Sequence, residues 1–184
     1  MDLLDFSGED MYFDRPLPPA VADLIDRAAE HYGSDEAELF LLRAWFLAPA
    51  HLSVLVALYR FYYYRQRYEE ALIVADRSVA AAARELGLDL GPDGDWRRLD
   101  DADLGRAVTQ SMTLTRFLLL ALKGAGYLLM RMNRPAEALE RLEKVAAFDS
   151  GDRLGLSELL SWTRQAATKA EIGARGENVT FIRR

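Results

Sequence analysis

The chain has no cysteine among its 184 residues. That excludes a disulfide framework, a thiol nucleophile and a cysteine-built zinc site. Histidine is nearly absent too: His31 and His51 stand alone, neither with a second metal ligand three or four positions away. Both are expected at helix ends, facing water, so no metal or other cofactor is expected. Uncharged apolar runs stop short of the roughly 18 residues that a membrane-crossing helix needs, and no such helix is expected. The segment Met1-Asp2-Leu3-Leu4-Asp5 lacks the basic and then apolar profile of a secretory signal. Positive charge is in deficit, with a formal net charge of -6. That balance argues against nucleic acid or an anionic membrane as partner. Period-two alternation and β-branched residues are sparse, which leaves an all-α fold. A soluble, cytoplasmic protein is expected.

What is present is apolar residue, 51% of the chain, enough to fill the core of one domain or a small repeat array. Charge is unevenly spread, because residues 1–40 hold eleven acids against two bases. The expected organisation is an acidic N-terminal arm over 1–16, one helical domain over 17–172 and a mobile tail over 173–184. Proline and glycine punctuate the helices. The first runs from Pro19 to Gly33, and the second starts after Ser34 as cap and ends at Pro49. The third spans 52–65 and the fourth 68–86. A loop from Gly87 to Asp103 ends in a helix cap. A long helical stretch then reaches Met132, broken near 111–115. Another helix opens at Pro135 and closes near Gly151, and a last one spans 152–170.

An internal repeat underlies this pattern. Ala37 and Ala71 are 34 residues apart in matching contexts, and Ala138 lies 67 further on. Thirty-four residues is the length of one helical-hairpin repeat. Seven positions after each alanine stand Ala44, Ser78 and Val145. Pro49 closes the first unit, Leu24-Ile25, Leu58-Tyr59 and Ala125-Gly126 occupy the first helices, and Tyr62 follows in the second. Arg67-Tyr68-Glu69-Glu70-Ala71 forms a characteristic turn. In these residues the chain resembles the tetratricopeptide repeat (TPR) family, with units near 17–50, 51–84 and 119–152. The resemblance implies a right-handed superhelical array of antiparallel helical hairpins. An insertion near 85–118 would interrupt it, and the helix at 152–170 would cap it.

The resemblance also implies a binding face, since the first helix of each unit would line a concave surface. The first unit would place Pro19, Ala22, Asp26, Ala29 and Glu30 there. The second would place Ser53, Val56, Arg60, Tyr63 and Tyr64, and the third Leu120, Lys123, Tyr127, Met130 and Arg131. Tyrosine and basic side chains favour interface hot spots. The candidate partner-binding set is therefore Arg60, Tyr63, Tyr64, Lys123, Tyr127 and Arg131. Of the aromatic run, Tyr59, Phe61 and Tyr62 are expected inside. The family's carboxylate clamp is not carried over, because its asparagines are missing here.

Catalytic patterns are lacking. Asp93-Gly94-Asp95 does not continue as a calcium loop, Gly124-Ala125-Gly126 follows a helix rather than a strand, and no Gly-x-Ser-x-Gly occurs. The expectation is a non-enzymatic module that binds another protein as a peptide or helix, an acidic one being suited to the basic side chains of this face. A bacterial secretion-type chaperone holding an exported segment is one alternative. A self-associating structural protein, and hence a homo-oligomer, is the other. The arm carries Leu3, Leu4, Phe6, Met11, Tyr12 and Phe13 among its acids, unlike a solvated tail. It would either cover the end of the first unit or lie in the groove.

Overall fold

A computed structural model describes residues 15–176, with side chains through residue 173. Among the described residues the regular structure is wholly helical. The helices are α1 (Pro19–Glu30), α2 (Asp35–Leu47), α3 (Leu52–Tyr64), α4 (Tyr68–Glu85), α5 (Asp101–Gln110), α6 (Met112–Arg131), α7 (Pro135–Phe148) and α8 (Ser157–Gly176). The fold class is all-α.

Three pairs of consecutive helices pack side by side: α1 with α2, α3 with α4, and α6 with α7. The pairs stack in that order, α4 against α6, and α8 covers α7. Small residues let the helices approach. Ala37, Ala71 and Ala138 are wholly buried, and Ala44, Ser78 and Val145 are buried one further two-turn step along. The two later hairpins share one turn. Gln66 and Asn133 take positive φ of 58° and 57°, and the amides of Arg67 and Arg134 donate to the carbonyls of Tyr62 and Leu129. Each arginine then holds the glutamate three residues on, Arg67 with Glu70 and Arg134 with Glu137. Sequence comparison drew this turn only for the second unit.

The array differs from the sequence expectation in several places. Ser34 stands at the N-cap of α2 but does not cap it; its hydroxyl donates back to the His31 carbonyl at 3.0 Å. The first helix of the last hairpin starts at Met112, at the expected break near 111–115 and ahead of the unit boundary near 119, because Ser111 is extended and its side chain accepts from the Leu114 amide. The insertion is correspondingly shorter, and it packs on its own array. Leu88, Leu90, Trp96 and Leu99 are buried. Arg97 grips Glu140 on α7 at 2.7 Å, and Lys144 donates to the Arg97 carbonyl. Its far end carries the expected cap, where Asp100 and Asp103 bond each other's backbone amides. The last helix begins at Ser157 rather than 152, since Asp152 turns the chain at φ 49° and accepts from the Ser157 amide at 3.1 Å. It continues to Gly176, so residues 173–176 are helical rather than a mobile tail. The rest of that tail, and the arm apart from residues 15 and 16, lie outside the described residues.

The expectation that no helix could cross a membrane also needs correction. By length and composition α6 could do so, although Arg116, Lys123 and Arg131 interrupt it. Its apolarity is used inside the fold, where 67% of its most apolar window is buried among α4, α5 and α7.

Candidate functional site

α1, α2 and α3 converge on an open groove of about 570 Å³. One wall comes from α1 through Ile25, Ala28 and Ala29 and continues to Tyr32 just past the helix. Leu41 of α2 forms the floor, and Ser53, Val56, Ala57, Arg60 and Tyr64 of α3 form the second wall. The α3 wall follows from helical spacing: 53, 56, 57, 60 and 64 recur at three, four and seven, so they share one face. The opposite face carries Leu55, Tyr59 and Tyr62 into the core. Five of the lining residues (Ala29, Ser53, Val56, Arg60 and Tyr64) are among those that the resemblance expected on the binding face. The other lining residues were not assigned to this face by the sequence. Tyr32 lies beyond the last residue of α1, where helical periodicity no longer assigns a face; its ring meets Phe61 edge-on at 6.4 Å.

Next to this groove lies a tyrosine cluster joining the second and third hairpins. Tyr63 stacks on Tyr59, with ring centres 6.0 Å apart and planes 12° from parallel. It also meets Tyr64 at 5.3 Å, Tyr68 at 6.4 Å and Tyr127 at 6.3 Å. Arg131 lies 5.0 Å over the Tyr68 ring and donates to the Tyr127 hydroxyl at 3.2 Å. Burial, followed by hydrogen bonding with Tyr127, pushes the Tyr63 phenol up to about 12. The Tyr63 phenol is therefore uncharged at neutral pH, at the centre of an aromatic surface with Arg131 at its edge. Tyr63, Tyr64, Tyr127 and Arg131 are thus brought together, with Arg60 one helical turn before Tyr64.

Lys123 is not part of this face. It is only 7% exposed, and its ammonium donates to the carbonyls of Leu154 and Gly155 in the loop before α8. Burial holds it below the ordinary lysine range, opposed by the charges of Asp152 and Asp149. The resemblance expected it on the binding face, but the chain's own α7–α8 loop engages its ammonium.

His51 is also not as expected. It is 6% exposed at the start of α3, and neither ring nitrogen has a hydrogen-bond partner among the described residues. His31 stays at the surface with Nδ1 2.9 Å from the Arg27 carbonyl oxygen. Among the described residues no three histidine, aspartate or glutamate side chains converge as a metal site would require.

A second surface was not foreseen. Leu39, Leu42 and Phe46 recur at three and four along α2 and are exposed, Phe46 at 82%, with Ile73 of α4 exposed nearby. Leu42 and Ile73 border a hollow of about 180 Å³ together with Trp45, and Arg77 lies 4.5 Å over the Trp45 ring. The signal was present in the spacing. Ala37, Leu41 and Ala44 make an equally regular line on the same helix, and only packing shows which line is covered.

Compared with known proteins, the chain is 45% identical over 160 residues to a protein of Azotobacter chroococcum mcd 1. That relative is described as an uncharacterized 19.8 kDa protein in the nifW 5′ region, and the match covers 87% of each chain. No family model and no solved structure matches.

Proposed function

We propose that this chain, which belongs to one family with the 19.8 kDa Azotobacter chroococcum protein, is a protein-binding module of the TPR type and not an enzyme. The groove between α1, α2 and α3 carries the reading. It is open, apolar and aromatic, and Arg60 is its sole charged lining residue among the described residues. Such a lining suits an extended segment or amphipathic helix with apolar anchors and an acidic group beside them. The shared turns of the two later hairpins, and the buried alanines at equivalent positions in all three, support a superhelical repeat array with α8 as its cap. The partner is a protein rather than nucleic acid or membrane, and the protein acts in the cytoplasm.

The test is to block the groove without disturbing the core. Ala29 is exposed on the α1 wall, so Ala29→Arg fills the groove and leaves the fold intact. Tagged wild type and Ala29→Arg are expressed in the native host, and co-purifying proteins are quantified by mass spectrometry. The nifW product serves as a purified bait, because the relative is placed beside that gene. A partner retained by the wild type and lost from Ala29→Arg, at equal melting temperature, supports the reading. Equal recovery of every partner by both chains refutes it.

A second reading rests on the stripe of Leu39, Leu42, Phe46 and Ile73. A contiguous exposed apolar surface favours association, and two copies joined across a two-fold axis would cover it. Sedimentation should then show a dimer that Phe46→Glu converts to monomer. A wild-type chain that stays monomeric at high concentration rejects this reading.

A further inference from the structure

We propose that residues 1–14 of this chain bind in cis along the groove between α1, α2 and α3, as a tethered competitor for its partner. The inference rests on the groove reading above and adds the ligand class: an acidic segment with closely spaced aromatic and leucine anchors. Three observations point to it. First, the segment matches the groove chemically. It carries five acids and no base, interleaved with Leu3, Leu4, Phe6, Tyr12 and Phe13, whereas the groove is apolar with Arg60 as its cation. Second, the chain is held against the helices where it meets α1. Leu17 packs against the core, and Pro18 is extended at φ -56° and ψ 137°.

Third, the reach is right. The groove wall on α1 begins at Ile25 and ends past the helix at Tyr32, roughly 9 Å and 20 Å from Pro19 at a rise of about 1.5 Å per residue. An extended chain advances about 3.3 Å per residue, so residue 13 reaches Ile25 and residue 6 reaches beyond Tyr32. The segment can therefore run antiparallel to α1 over the whole wall. A short tether gives an effective concentration of about millimolar, so even a weak contact would be occupied until a stronger ligand displaces it.

Two measurements test the proposal. In the first, a fluorescein-labelled peptide of residues 1–14 is titrated with the full chain and with a chain starting at Arg15. The shortened chain should bind it, and the full chain should bind at least about tenfold more weakly because its own segment competes. Arg60→Glu in the shortened chain should weaken binding, most at low salt where the charge is least screened. Equal affinity for both chains, or no binding by a shortened chain with unchanged circular dichroism, overturns the proposal.

The second measurement keeps the full chain and does not depend on the shortened form folding. Because the chain lacks cysteine, introduced pairs report proximity cleanly. Met11→Cys with Ala29→Cys, which the extended antiparallel course brings side by side, should form an intramolecular disulfide under mild oxidation, at a rate independent of dilution. Met11→Cys with Ile73→Cys, which places the partner on the α4 surface, should not. Cross-linking to position 73, or equally slow cross-linking to both, overturns the proposal. The two readings fail separately. If Ala29→Arg abolishes partner binding while the peptide and cross-linking tests are negative, the groove binds ligands but the segment does not occupy it. If Ala29→Arg changes nothing, the groove reading itself is lost.

Discussion

Lys123 is the residue whose role changed most between sequence and structure. A buried ammonium that donates to the Leu154 and Gly155 carbonyls fastens α6 to the loop leading into α8. Lys123→Met keeps the stem but leaves those two acceptors without their donor, a loss of about 1–3 kcal/mol measurable by urea unfolding. Its depressed pKa has a sign. Between the folded value and the unfolded value of 10.5 the unfolded state binds more protons, so this residue's contribution to stability rises with pH. The wild-type advantage over Lys123→Met should therefore grow as pH approaches that upper limit. Tyr62 has the opposite sign. Burial, and then Glu38, push its phenol up to about 12 from the usual 10. Between those values the unfolded phenol ionises first, and the stability it contributes is lost as pH rises. In Tyr62→Phe the fall of the urea midpoint across that range should be shallower than in the wild type. An identical slope would place the phenol in ordinary solvent.

At the scale of elements, the crossing of α6 and α7 depends on a glycine and one layer of leucine. A Cβ on Gly126 would sit 2.7 Å from Leu142 Cγ, and Leu142 is fully buried with nowhere to move. Gly126→Ala should cost about 1–3 kcal/mol despite the helix preference for alanine, because overpacking outweighs it. Gly105 in the exposed α5 is the matched control. Nothing lies within 4 Å of a Cβ there, so Gly105→Ala should stabilise by about 0.8–1 kcal/mol. Thermal melts of the two variants should shift in opposite directions; a shared direction would mean that α6 and α7 are not in this contact. Gly124-Ala125-Gly126 stands inside α6, where glycine needs a reason, and close packing supplies it. Which neighbour required it was not legible, because Leu142 is 16 positions away and a helix face does not name its partner.

For the whole molecule, each hairpin leaves an apolar face that the next must cover, and α8 does this for α7. Leu160 is buried in that contact, and Leu160→Ala should cost about 2–5 kcal/mol. If the array unfolds as one unit, intrinsic tryptophan fluorescence and far-UV circular dichroism of this variant will shift together in urea. Separate transitions would show that the capping helix melts by itself. The helical class, the punctuation of the helices and the spacing of Ala37, Ala71 and Ala138 were all readable in the chain, because periodicity and turn chemistry are local properties. So was the inner face of α3, whose residues 53, 56, 60 and 64 line the groove. Tertiary structure alone decided that Lys123 is engaged by the chain itself, that His51 is buried and that the insertion folds back on α7. It also decided that the Leu39, Leu42 and Phe46 line of α2 is left uncovered. Each of these depends on which distant segment arrives at a given helix face, and a repeat in sequence specifies the face without specifying what packs against it.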